Sequence, residues 1–468
     1  MRASDDTTTT DHHVRPTHVQ AEAMLRGTPY ESYVYGYPHK LAYRPIEPAR
    51  QLAEVWAREK KDALFLYAHV PFCEQRCGFC NLFTFARPKE EMMSRYLDTF
   101  TRQVKVMREA MGSVQFERAA IGGGTPTYLG GEGLEQLIHA MEVGFDVDLS
   151  RVPTSVEVSP MTATDEALAP LRRRAIDRIS MGVQSFVDEE AKSVQRTQAQ
   201  PEVRRAIEAI RRTETRTLNL DLMYGLPGQS DASFELSLRL ALAHAPEELY
   251  LYPLYVRPFT GIGKLAKGDR ERERQAWDED RLRLYRLGRD LLLSEGYAQV
   301  SMRMFRKASS PSTASTYRCE RDGMVGLGCG ARSYTEQLHY ATAYATETLG
   351  VRDILERWIG STDEELGVAT WGIALDVQEQ KRRYALLALL SDEGLSLDAY
   401  AKRFDGGDAL IDIPELLALT HPSLSPRVIS REGNTLQLTR EGLERADAIG
   451  PFLSSPAMHE AVRTASRR

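Results

Sequence analysis

The chain has 468 residues, 42% of them hydrophobic and 27% charged, which is enough for a large core and two or three domains. A formal charge of -6 and an isoelectric point near 6.0 give no basic surface for nucleic acid or an anionic membrane. No apolar run is long enough to span a bilayer, the first residues lack the apolar stretch of a signal peptide, and five mostly clustered cysteines suit a reducing compartment, so a cytoplasmic protein is expected.

In chain order, residues 1–27 are polar and Thr-rich and read as a mobile tail. Residues 28–63 form an N-terminal extension containing "PYESYVYGYP". From residue 64 to 265, apolar or alternating runs recur at 64–71, 119–126, 155–160, 178–184, 218–225 and 249–256. Helical spacing fills the gaps, as with Tyr96, Leu97, Phe100, Val104 and Met107, or Val203, Ile207 and Ile210. Strands alternating with helices predict a parallel α/β architecture, an open sheet or a partial (β/α)6 barrel.

Residues 266–345 carry a charged amphipathic helix with Trp277, Leu284 and Leu291 on one stripe, a strand pattern "YAQVSMRMF", and the glycine-rich "DGMVGLGCGARSY"; they are expected to complete the barrel. Residues 346–455 read as a smaller, mainly helical domain with a β element at "NTLQLT", and 456–468 as a second tail.

Each predicted strand ends in residues unusual for a plain core, which at the C-terminal ends of β/α strands marks a site. The first ends at "HVPFCEQRCGFCNL", where Cys73, Cys77 and Cys80 follow C-x3-C-x2-C. Three thiols this close cannot pair off as disulfides. With His69 they would make a Cys3His zinc set, although alternation aims His69 away from the loop. Alternatively they hold three irons of a [4Fe–4S] cluster and leave the fourth open to a small chelating ligand. The run Gly122–Gly124 lacks Cβ atoms, so its backbone can approach a ligand and offer carbonyls to an ammonium group; Thr125 adds a hydroxyl. Glu157 lies between Val156 and Val158 and faces opposite to them, and a carboxylate inside a barrel is costly unless partnered.

Together, "YAHVPFCEQRCGFC", "IGGGTPTYL", "SVEVSP", "DRISMGVQSF", "VQRTQ", "NLDLMYGLPGQ" and "VGLGCGARSY" resemble, in this order, the radical S-adenosylmethionine (SAM) superfamily. Within it they are most similar to oxygen-independent coproporphyrinogen III oxidases and their relatives, over about residues 30 to 450. The resemblance implies a [4Fe–4S] cluster on Cys73, Cys77 and Cys80, one or two SAM molecules, and a flavodoxin or ferredoxin as electron donor. It places Tyr67, Phe79, Gly123, Gly124, Thr125 and Glu157 around SAM. Gln184, Arg196 and Asp221 would line a second SAM position near a small-molecule substrate. Arg332 stands where the oxidases border SAM with a different residue type. Arg196 and Asp221 pairing with each other is the plain structural reading.

Three reactions fit the family: porphyrinogen decarboxylation, methyl transfer from a second SAM, and haem delivery without substrate chemistry. Leu82 stands where the oxidases carry a further cysteine, and Arg303 and Met304 replace an acidic and histidine-bearing segment, which argues against decarboxylation. The extension before the first strand argues against a chaperone. A zinc-stabilised binding protein is the reading outside the family, and it leaves "GGGTP", Glu157 and Asp221 unexplained.

Overall fold

The computed structural model describes residues 17–256, 260, 270–310, 322–345 and 347–465, with residues 270–274 described for their backbone alone. Strand β1 (Arg44–Gln51) precedes β2 (Leu64–Val70), which runs into the two-residue β3 (Phe72–Cys73) and its partner β4 (Phe85–Ala86). Then come β5 (Phe116–Gly123), β6 (Thr154–Val158), β7 (Arg178–Gln184), β8 (Thr217–Tyr224) and β9 (Glu248–Pro253), each pair separated by helix. These five and β2 pair parallel in chain order, as the alternation predicts.

Along β2, Leu64, Leu66 and Ala68 are at most 1% exposed and pack against the helical layer, including Phe100 and Val104 of the helix Glu90–Met111. Phe65, Tyr67 and His69 alternate onto the inner face, as the two-residue period of a strand requires. On that face β6 carries Glu157, β7 carries Gly182 and Gln184, β8 carries Asn219 and Asp221, and β9 carries Tyr250 and Tyr252. The floor of the lumen is closed by charge: Arg178 donates to Glu248 at 2.8 Å, and Arg306 donates to the other oxygen of the same carboxylate at 3.1 Å.

The sheet extends beyond six strands on both sides. After β9, β11 (Met304–Lys307) pairs antiparallel with it, and β10 (Tyr297–Gln299) with β11. Before β2 stands a seventh parallel strand, β12 (Met324–Leu327), drawn from the glycine-rich segment. Antiparallel β13 (Arg332–Tyr334), β14 (Leu338–Ala341) and β15 (Val368–Ala374) follow, with β1 at the edge.

Three predicted boundaries are corrected. Residues 348–374, expected in the C-terminal domain, belong to the barrel: the helix Thr348–Ile359 packs its Val351 and Leu355 into the barrel core and β15 joins the main sheet. The helical domain proper starts near Val377, and its second core joins Tyr384, Leu389, Tyr400, Leu416 and Ile449 around a small sheet of β16 (Leu395–Ser396), β17 (Ile429–Glu432) and β18 (Thr435–Leu438). Both expected tails also contain packed helix. His18–Arg26 buries Ala21 and Leu25 in that second core, and Pro456–Ala465 lies against β1, where Arg44 donates to the Ala461 carbonyl. Residues 1–16 and 466–468 of those tails lie outside the described residues.

The two cores are joined by buried ion pairs. Arg303, 4% exposed, bonds Asp447 at 1% exposure, while Arg289 holds Glu444 at 2.5 Å. Arg303, which replaces the oxidases' acidic and histidine-bearing segment, thus serves here as a clamp between barrel and C-terminal domain.

Candidate functional site

The loop from Cys73 to Cys80 crosses the C-terminal end of the strands and is moored on several sides. The Gly124 amide donates to the Val70 carbonyl and the Thr125 amide to the Phe72 carbonyl, each at 2.7 Å. Ser159 after β6 donates to Glu74 at 2.6 Å; across the mouth, the Gly78 amide donates to the Val194 carbonyl at 2.8 Å, and the Thr197 hydroxyl to Gln75 at 2.7 Å. Phe79 packs into a small apolar cluster with Val194, Met223 and Tyr252, at the ends of β8 and β9.

The three cysteines are free thiols, and each sulfur has its own polar neighbour. Thr125 Oγ1 donates to Cys73 Sγ at 3.6 Å, Arg196 Nη1 donates to Cys77 Sγ at 3.4 Å, and Thr84 Oγ1 lies 3.8 Å from Cys80 Sγ. Burial pushes the Cys73 and Cys77 thiols up, partly offset by Thr125 at the first and Arg196 at the second. Three sulfurs, each with a donor that stabilises a thiolate, are a donor set suited to iron–sulfur ligation. His69 does not join them. Its Nε2 is 3.0 Å from the Phe83 carbonyl, which can only accept, so Nδ1 is the acceptor for the Tyr67 hydroxyl at 3.1 Å. Burial lowers its pKa to about 4, which keeps the ring neutral. Among the described residues no three His, Cys, Asp or Glu side chains converge on a point where a single metal ion would sit. Both nitrogens of His69 are thus engaged away from the three thiols, against the Cys3His zinc set.

The glycine run answers to protein as much as to any ligand. A Cβ on Gly124 would lie 2.5 Å from the Phe72 carbonyl oxygen and 3.0 Å from Cys73 Sγ. On Gly123, whose φ is +108°, it would lie 2.4 Å from the His69 ring; on Gly122 it would lie 2.8 Å from the Glu157 carboxylate. The turn is bare so that the cysteine loop, the histidine and the glutamate can all close on it.

The Gly123 amide donates to Glu157 at 3.0 Å. Confinement in the lumen raises the Glu157 carboxyl above the usual range, opposed by that amide and reinforced by Asp221. Asp221 accepts from Asn219 at 2.7 Å, and burial raises its pKa to about 6 against the pull of Arg178. At the end of β7, Gln184 takes the left-handed conformation, with φ +69° at a bulge. Its amide lies over Gly182, next to the Arg196 guanidinium, which is fixed by Gln198 at 2.6 Å and by the Gly182 carbonyl. Arg196 forms no salt bridge with Asp221, and the plain pairing of those two is not what the structure shows. Arg332 faces the lumen from β13, its guanidinium 4.7 Å from the centre of the Tyr35 ring.

Residues 67–241 match the family described as the Radical SAM superfamily. Beyond that segment, the chain is similar to two kinds of curated proteins. It is 26% identical to the haem chaperone HemW of Bacillus subtilis over 385 residues, covering 79% of this chain and 96% of that one. It is 24% identical to the oxygen-independent coproporphyrinogen III oxidase of Escherichia coli over 426 residues, covering 87% and 88%. The match to the Bradyrhizobium diazoefficiens oxidase reaches 31% over 219 residues, about half of each chain at 46% and 48%. The solved structure of the E. coli oxidase superposes with a TM-score of 0.75 at 21% identity, covering 90% of this chain and 97% of that one, and shares the fold. The matched radical SAM segment implies a [4Fe–4S] cluster and SAM, and the chain is similar to proteins of the HemN and HemW type.

Residue-by-residue reading of the sequence did not single out Thr84, Tyr33, Tyr35 or Tyr252. Tyr33 stacks on Arg303 at 3.7 Å and stands edge-on to Tyr252 at 6.4 Å. The only available signal was the tyrosine-rich composition of residues 29–38.

Proposed function

We propose that this radical SAM protein is an enzyme that cleaves SAM reductively and acts on a small, haem-precursor-like molecule held in the lumen. The observation carrying this reading is the arrangement of charge. Glu157 and Asp221 face the lumen with no cationic salt-bridge partner among the described residues, while Arg196 and Arg332 face it with no carboxylate partner. Charges kept apart on different walls of one chamber are expensive in an empty core and suited to a ligand carrying both signs. SAM, with its sulfonium, ammonium and carboxylate, is such a ligand.

Cys73, Cys77 and Cys80 would hold a [4Fe–4S] cluster, which would supply one-electron reduction to SAM. This chain's residues orient and confine. The Gly123 amide fixes Glu157, the Tyr67–His69 pair borders the loop, and Phe79 closes its far side. Gln184, Arg196 and Asp221 are the candidates for a second SAM position.

The test is anaerobic incubation of reconstituted protein with SAM and dithionite, with Cys77→Ala as control. Formation of 5′-deoxyadenosine by the wild type alone supports the reading, and S-adenosylhomocysteine beside it directs the chemistry to methyl transfer. Haem bound stoichiometrically, with SAM left intact, supports the second reading, haem delivery, which the match over 96% of the B. subtilis chaperone favours.

A further inference from the structure

Four arginines of the interior are neutralised by acids. Arg178 is paired with Glu248, Arg281 with Asp278, Arg289 with Glu444 and Arg303 with Asp447. Arg332, like Arg196, differs from those four: among the described residues no carboxylate forms a salt bridge with it. Its surroundings are phenolic instead. The guanidinium lies over Tyr35 and hydrogen-bonds to its hydroxyl, with Tyr334 and Tyr43 next to it. Those hydroxyls keep the guanidinium charged against burial, but none of them is an anion at neutral pH. The Tyr43 hydroxyl, on a residue 2% exposed, has no hydrogen-bond partner among the described residues. A cation without a carboxylate and a phenol without a hydrogen-bond partner thus lie within electrostatic reach of each other.

The location is specific. Arg332 belongs to β13, pressed on β12 where a Cβ on Gly326 would lie 2.2 Å from the Arg332 carbonyl oxygen. Gly326 is in register with Tyr67, on the strand that leads to the cysteines. The positive field of Arg332 reaches both Tyr67 and His69, so the unpaired charge shares a chamber with the cluster loop.

We propose that Arg332, oriented by Tyr35, is a carboxylate receptor in the lumen. Resting on the radical SAM reading above, it takes either a carboxylate arm of the substrate or the carboxylate of a SAM molecule. Guanidinium geometry suits this, because its N–H fork matches the two oxygens of a carboxylate.

The test uses wild-type protein, Arg332→Leu, Arg332→Lys and Tyr35→Phe. Three probes are titrated into each: coproporphyrin III by fluorescence, glutarate by thermal shift and SAM by equilibrium dialysis. A loss of tenfold or more in Arg332→Leu for coproporphyrin III or glutarate, with SAM unchanged and partial recovery in Arg332→Lys, assigns the receptor to the substrate. The same loss for SAM alone assigns it to SAM. Equal binding of all three probes by wild type and Arg332→Leu, including no binding of the first two by either, overturns the proposal. Loss of an unpaired interior charge should leave the melting temperature of Arg332→Leu unchanged or raised, which separates lost binding from misfolding. None of these titrations depends on SAM cleavage. A protein that makes no 5′-deoxyadenosine still reports on Arg332, and one that does can still refute it.

Discussion

Asp221 offers a quantitative test of the lumen. In an unfolded chain its carboxyl titrates near the ordinary aspartate value of about 3.9, whereas the folded environment raises it to about 6. Burial is the main cause; Arg178, Asn219 and Arg196 pull the other way, and Glu248 adds to the rise. Asp221 in turn raises the carboxyl of Glu157 across the lumen. A raised folded pKa on an acid means that the native state binds the proton more tightly than the unfolded state. Stability therefore falls as pH rises between the two values. A shift of about two units is worth ~3 kcal/mol in full, of which roughly half is spent between pH 5 and pH 8. Asp221→Asn removes the titration while keeping the oxygen that accepts from Asn219. Urea unfolding of wild type and variant at pH 5, 6, 7 and 8 should show the variant gaining on the wild type by about 1 to 1.5 kcal/mol across the series. The removed repulsion on Glu157 acts in the same direction. A difference between the two proteins that is flat with pH, or that shrinks toward pH 8, would refute the placement of Asp221 in a confined, cation-poor wall.

Three further outcomes follow from contacts already described. Gly123→Ala places a methyl against a histidine whose two nitrogens are both bonded, at a φ of +108°; overpacking and left-handed strain together cost roughly 2–5 kcal/mol, visible as a lowered denaturation midpoint, and an unchanged midpoint would contradict the close contact. Arg303→Met leaves Asp447 buried without its cation, a loss of about 3–5 kcal/mol that Arg303→Met combined with Asp447→Leu should largely restore; additive losses in the double-mutant cycle would rule out the clamp. Arg196→Gln removes the charged donor on Cys77 Sγ and should move the midpoint potential of the reconstituted cluster to more negative values, with Thr125→Val causing a smaller shift; a redox titration followed by electron paramagnetic resonance reads both.

The parallel core was legible because each of its strands is short, apolar on one face and bounded by helix-period sequence, so β2 and β5 to β9 follow from local pattern. The cysteine loop was legible because thiols are rare in this chain and three of them fall within eight residues. What local pattern does not encode is partnership between distant segments. Strand β12 reads as a glycine-rich turn until it is paired with β2, some 260 residues earlier, and Val368–Ala374 looks like the edge of a helical domain until it joins β14 and β1. The terminal helices are likewise polar by composition, and a few residues such as Ala21 and Leu25 decide their packing. Arg303 marked a departure from the oxidases, but its meaning depended on Asp447, 144 residues away.

Those non-local contacts explain why the cysteine loop has a defined shape of its own. His69 joins three elements at once: its ring bonds Tyr67 and Phe83, its carbonyl accepts from Tyr96, and the bare Gly123 lies against its ring edge. A histidine held near pKa 4 stays neutral throughout the physiological range, so this hub keeps its bonding as pH varies. The loop departs from the strand only four residues after the hub, and Phe72 returns a carbonyl to the Thr125 amide. Its thiols are thus positioned by β2, by the glycine turn, which also holds Glu157 through the Gly123 amide, and by the segment after β7, which carries Arg196. Moving any wall changes the sulfur positions and the ligand contacts together. That coupling is the physical reason why a glycine run, a neutral histidine and an arginine far apart in sequence behave as parts of one site.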